Sequence, residues 1–201
     1  MKTLKIALTG GIACGKSSVI QVFKKYAIDI IDLDVIAREV VGPESQGLIE
    51  LVAHFGNGIL NDDQTLNRQA LRQALFENSE NQQIIEKILH PEILKKMQMD
   101  IKNLNTRLVV VEVPLLVEQN LSNLFDRAIV VDCNEQNQLK RLLKREDIDE
   151  KLAKTMISAQ ASQEQRLALS EKLPTDIIEN NLEISEMEQK AQDLAQKLLN
   201  L

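Results

Sequence analysis

Short apolar runs rich in β-branched residues recur along the chain, at Leu4–Thr9, Ile28–Ile31, Leu108–Val113 and Ala128–Val131, with a weaker one at Asp176–Glu179. Runs this short and nearly unbroken mark strands buried on both faces of a parallel sheet. Helical periodicity lies between them. Val19, Ile20, Val22 and Phe23 line one face of a helix starting near Lys16, and Leu139, Leu142 and Leu143 repeat at i, i+3, i+4 within Gln136–Lys144. The tail Ser185–Leu199 is also helical, with Ser185 and Glu188 spaced as a capping box. The alternation predicts an α/β fold, a five-stranded parallel sheet flanked by helices.

One interval breaks the rhythm. Ala37 to Thr106 is far longer than a strand–helix–strand crossover needs, and it carries several helical patterns. It is expected to be a helical insertion, residues 37–106, covering a substrate at the carboxyl ends of the strands. With 7 Gly and 4 Pro in 201 residues and no linker-like tract, the insertion belongs to one domain spanning 1–201.

Composition narrows the function classes. Hydrophobic residues at 44% exclude a disordered chain, and aromatics at 2% leave the core to Leu, Ile, Val and Ala. A net charge of -6 argues against a protein that wraps nucleic acid. The first apolar stretch is interrupted by Lys5 and stopped by glycines, unlike a secretory leader, and no run has membrane-spanning length. Cys14 and Cys133 form neither a ligand cluster nor a disulfide framework, so a reduced, cytoplasmic setting is expected, without membrane or nucleic-acid partners.

The strongest chemical signal is Gly10-Gly11-Ile12-Ala13-Cys14-Gly15-Lys16-Ser17, a G-x-x-x-x-G-K-[ST] loop after a strand and before a helix. Such a loop winds tightly enough for successive backbone N–H groups to face a phosphate chain at a helix N-terminus. Gly11, Ala13, Cys14, Gly15, Lys16, Ser17 and Ser18 are the expected ATP contacts, with Lys16 at the β- and γ-phosphates and Ser17 on Mg²⁺. Asp32 or Glu112, each at a strand end, would reach that ion through water. No Asn-Lys-x-Asp guanine-reading motif is present, so a GTPase is disfavoured.

Asp32 and Asp34 close the second strand and would project together if the strand ran through both. From the residues, Asp34 is either a base for an acceptor hydroxyl or a cap for the helical pattern at Val35–Arg38. Arg141 and Arg145, four apart, are expected on one helix face, as a phosphate-binding fork or a solvated basic surface. His90 precedes Pro91, which biases it to an extended or turn conformation, and Cys14 reads as a small filler facing away from phosphate.

Ordered motifs make the chain resemble the dephospho-CoA kinase family. They are Leu8-Thr9-Gly10-Gly11-Ile12 through Ser17, Asp32-Leu33-Asp34-Val35-Ile36-Ala37-Arg38, Phe55-Gly56, Leu66-Asn67-Arg68 to Phe76, Leu89-His90-Pro91, Val113-Pro114-Leu115-Leu116-Val117-Glu118, and Gln138-Leu139-Lys140-Arg141 to Ala159-Gln160. The resemblance implies transfer of the ATP γ-phosphate to the ribose 3′-hydroxyl of dephospho-CoA with Mg²⁺. It implies Asp34 as base, with Lys16, Arg141 and Arg145 as catalytic cations. Asp34, Arg38, His90 and Leu116 fall on the acceptor, and residues 138–166 form a lid. The alternatives are a P-loop kinase for another nucleoside or nucleotide acceptor and a non-catalytic nucleotide-binding regulator. The chain departs from the family where Ala13 replaces a frequent glycine, where Thr155 and Met156 replace a lid arginine, and where Glu171–Thr175 displaces Asn180 and Asn181, candidates for adenine contact.

Overall fold

The computed structural model describes residues 2–181 and 183–201, and leaves the side chains of Phe76, Glu77 and Ser79 outside that description. It divides into two compact units, Met1–Ile31 with Asn105–Leu201, and Asp32–Leu104.

The first unit is built on a five-stranded parallel sheet of order β2-β3-β1-β4-β5. The strands are β1 (Leu4–Gly10), β2 (Asp29–Asp32), β3 (Leu108–Glu112), β4 (Arg127–Asp132) and β5 (Thr175–Glu179). Central β1 aligns Leu8 with Glu112 of β3 and Gly10 with Val131 of β4. α1 (Lys16–Lys25) and α9 (Ile184–Leu199) pack on one face, where Val19, Phe23, Met187 and Leu198 meet Ile6, Leu8, Val110, Ile129 and Ile178. Edge strand β5 carries the weakest apolar signal and is held partly by charge. Asp176 accepts from Arg127 at 2.5 Å and Lys197 at 3.0 Å. Burial opposes the charge on Asp176, yet these two cations hold its carboxyl below the usual range. Between β4 and β5 come α6 (Glu135–Leu142), α7 (Glu150–Ser158) and α8 (Gln163–Leu167).

The second unit is helical apart from a single bridge between Leu60 and Leu66. Its helices are α2 (Leu33–Glu39), α3 (Gln46–Phe55), α4 (Arg68–Glu77) and α5 (Ser79–Leu104), with the first three packed against α5. His90 is helical, not extended or in a turn, because α5 runs through Pro91. Proline there forfeits a backbone hydrogen bond, and burial of the helix against three partners outweighs the loss.

Two further expectations are corrected. Ser185 already lies inside the first turn of α9, whose N-cap is Glu183, so its hydroxyl caps nothing; the capping box that forms joins Ser162 and Gln165 at α8. Cys14 and Cys133 are not separate thiols but a buried disulfide pair, with Cα atoms 5.3 Å apart. The register of β1 with β4 brings together the segments that follow both strands, a neighbourhood that a separation of 119 residues hides.

Phe23 is fully buried in the α1–α9 layer. Phe23→Ala is therefore expected to lower unfolding free energy by about 3–5 kcal/mol, read from urea titration. A loss below about 1 kcal/mol would show that this face is not core.

Candidate active site

Gly10–Gly15 link β1 to α1, and the loop's conformation is imposed from outside it. At Gly10 any Cβ would collide with the Val131 carbonyl. Gly15 is the N-cap of α1 at φ 105°, a left-handed value, and a Cβ there would lie 2.5 Å from Asn180 Nδ2. No side chain caps this helix and its first turn holds no acid, so the positive N-terminal end is left for an anion.

Side chains from the segments after β4 and β5 grip the loop carbonyls. Gln138 Nε2 donates to Ile12 O at 3.0 Å, and Asn180 Nδ2 donates to Cys14 O at 2.7 Å. In a trans peptide the carbonyl and the next N–H point oppositely, so these two bonds turn the Ala13 and Gly15 amides the other way. Neither amide, nor that of Ser17, donates to any described residue. Arg141 reinforces the clamp, donating to Ala13 O at 3.3 Å and to Asn180 O and Oδ1 at 2.9 and 3.1 Å. Gln160 Oε1 accepts from Ile12 N at 2.6 Å. Lys16 Nζ folds over the loop onto Gly10 O at 3.0 Å and Gly11 O at 3.3 Å. The result is a concave set of donors with a primary amine at its rim, suited to a polyphosphate.

A profile of the dephospho-CoA kinase family matches residues 4–186. The chain belongs to that family. A dephospho-CoA kinase of Vibrio vulnificus is 43% identical over 197 residues, covering 98% of this chain and 96% of that one. One from Shewanella oneidensis is 35% identical over 201 residues, covering 100% and 96%. Among solved structures, a dephospho-CoA kinase from Campylobacter jejuni superposes with a TM-score of 0.71 at 26% identity, covering 98% of each chain. A crystal structure from Thermus thermophilus shares the fold at a TM-score of 0.82 and 22% identity, covering 100% and 99%.

Within this dephospho-CoA kinase family member, the remaining candidate residues are distributed as follows. β2 ends at Asp32, so the strand does not run through Asp34. Asp32 is the N-cap of α2, accepting from Asp34 N at 2.8 Å and Val35 N at 3.2 Å, and the capping role weighed for Asp34 falls to it. Asp34 is exposed in the first turn of α2, and Arg38 and His90 lie with it in the second unit. Leu116 is fully buried, while Leu115 beside it is 40% exposed. α6 stops at Leu142, so Arg141 and Arg145 do not share a helix face; Arg145 is exposed in the following turn. Cys14 is fully buried in the core cluster and bonded to Cys133, so it is not a separate small filler.

Ser17, on the first turn of α1, is exposed, and Glu112 ends β3. No described group of three or more His, Cys, Asp or Glu forms a metal cage. A hydroxyl with at most one carboxylate fits Mg²⁺, which keeps waters and takes phosphate oxygens as its other ligands.

Gln138, Gln160 and Asn180 support the loop, and Arg166 lies beside it without having been singled out from the residues. Gln138 and Gln160 stood only within resembling segments, since glutamine on a helix, as Gln138 is, or in a connection, as Gln160 is, reads as solvated surface. Arg166 is 5% exposed; burial pushes its guanidinium pKa down, against the pull of Asp132 and Glu118.

Ala13 adopts φ 59°, the left-handed region where a Cβ costs about 1–2 kcal/mol. Ala13→Gly is expected to stabilise the fold by about 0.5–1 kcal/mol after the extra chain entropy of glycine is subtracted. A rise in urea midpoint at unchanged slope is the expected readout, and a fall in the midpoint would show that the loop at Ala13 is unstrained.

Proposed function

We propose that this chain transfers the γ-phosphate of ATP to the ribose 3′-hydroxyl of dephospho-CoA, the reaction for which its family is named. The carrying observation is the pair of outward-pinned carbonyls that leaves the Ala13 and Gly15 amides, beside that of Ser17 in the first turn of α1, without an acceptor among the described residues. These amides and Lys16 hold the triphosphate, and Ser17 holds Mg²⁺, with Asp32 or Glu112 behind water. When bound, Mg²⁺ neutralises charge on the phosphate oxygens. Phosphoryl transfer needs little else than position and fixed positive potential.

The helical unit is proposed to hold the acceptor through Arg38 and His90, and Leu116 is proposed as a further acceptor contact. Asp34 orients the ribose hydroxyl and takes its proton. The choice of Asp34 over Asp32 is supported by local structure, since Asp32 spends its side chain on two α2 amides. Residues 138–166 are proposed as the lid region; Gln138, Arg141, Gln160 and Arg166 already hold the loop, so closure falls to the segment between Arg141 and Gln160, with Arg145 meeting the transferred phosphoryl. Both substrates are soluble, and no described helix is long and apolar enough to cross a membrane, which suits a cytoplasmic enzyme acting without nucleic acid.

The test is ADP release across dephospho-CoA, nucleosides and nucleoside monophosphates. Turnover confined to dephospho-CoA supports the proposal, and preference for another acceptor overturns it. Asp34→Asn is expected to lower kcat by about 10²–10⁴-fold with ATP affinity and melting temperature retained. Asp32→Asn keeps a side chain able to cap α2 and is expected to be milder. Near-full activity in Asp34→Asn would remove it as the base.

A further inference from the structure

Lys16 is not the only cation at the phosphate loop. Arg166, on α8, is 5% exposed, and its Nε has no hydrogen-bond partner among the described residues. One terminal nitrogen, Nη1, donates to Ala161 O. The other, Nη2, lies 3.0 Å from where a Cβ on Gly11 would stand, and that Cβ would also collide with the Gln138 amide. Lys16 Nζ sits 3.3 Å from the carbonyl of the same Gly11. Two cations thus border one glycine whose missing side chain makes room for the second.

The guanidinium forms no salt bridge among the described residues, although two carboxylates act on it at longer range, and Asp132 Oδ1 is itself buried without a hydrogen-bond partner. The two carboxylates are those of Asp132 and Glu118. Asp132 Oδ2 accepts from Gln163 at 2.5 Å, and Glu118 Oε1 accepts from Ala161 N at 2.8 Å. A buried arginine stays charged and costs several kcal/mol unless an anion meets it. Beside the phosphate loop, that anion is the polyphosphate.

We propose that Arg166 is a catalytic residue that contacts the γ-phosphoryl group of ATP, working with Lys16 across Gly11. The assignment rests on the kinase reading above. It is placed at the terminal phosphate because its neighbour Lys16 belongs to the β- and γ-phosphates in loops of this kind. A fixed planar fork suits the equatorial oxygens, whose charge must be stabilised as the bond to the leaving oxygen breaks. Unlike Arg145, it needs no large approach, since it already abuts the loop.

The competing role is structural. Arg166 would then pin Ala161 and balance Asp132, and its loss would loosen the fold without regard to which nucleotide is bound. Magnesium-ATP and magnesium-ADP affinities of wild type, Arg166→Gln and Arg166→Lys, measured by calorimetry, separate the two roles. In Arg166→Gln, ATP binding is expected to weaken by about 10–100-fold and ADP binding by less than about threefold, with kcat falling about 10²-fold or more. Arg166→Lys retains the charge without the fork and is expected to fall between, which keeps the test open should Arg166→Gln fail to fold. Equal weakening of ATP and ADP in a folded variant, or no weakening of either, would overturn the proposal. Failure of the wild-type protein to bind either nucleotide would sink the kinase reading itself, and Arg166 with it.

Discussion

The functional unit depends on the orientation of a few peptide groups between Gly11 and Lys16. An amide dipole has no preferred direction in a free loop, and glycines alone would let it point anywhere. Here two side-chain amides fix it. Gln138 holds Ile12 O and Asn180 holds Cys14 O, and planarity of the peptide does the rest by aiming the next N–H into the concavity. Arg141 completes the frame by joining Asn180 to Ala13 O. Preorganisation of this kind lets charge be met at once, without reorganisation when phosphate arrives.

That frame is available because of strand order. Placing β4 beside β1, and β5 beside β4, brings residues more than a hundred positions away onto the loop: Gln138 to Ile12, Asn180 to Cys14 and Gln160 to Ile12. The same geometry pairs Cys14 with Cys133 and sets Arg166 against Gly11. The Arg127–Asp176–Lys197 cluster therefore matters beyond local stability, because it anchors β5, the strand that delivers Asn180.

Local chemistry was readable in the chain. The four strong strands, the weak fifth, the α1 helix and the phosphate loop follow from apolar periodicity and a spaced motif, each set by neighbours in sequence. What escaped was set by partners distant in sequence. Nothing near His90-Pro91 reveals that burial of α5 outweighs proline's local preference. The β2 boundary, one residue past the apolar run, decides that Asp32 and not Asp34 caps α2. Likewise Ser185 matched a capping box by spacing alone, while Ser162 formed one. Gln138 and Arg166 look like solvated helix positions, and Gln160 like a loop residue, until the sheet carries them to the loop; for Gln138, a polar residue on the same face as Leu142 was the available signal.

Outward pinning of the loop carbonyls governs anion binding at this loop. Asn180→Ala removes the donor to Cys14 O while leaving Lys16, Ser17 and the α1 terminus in place. Titration of magnesium-ATP into the folded variant, checked by circular dichroism, should give a Kd raised by about 5–30-fold, the equivalent of about 1–2 kcal/mol for one lost buried hydrogen bond. An unchanged Kd in a folded Asn180→Ala protein would contradict it.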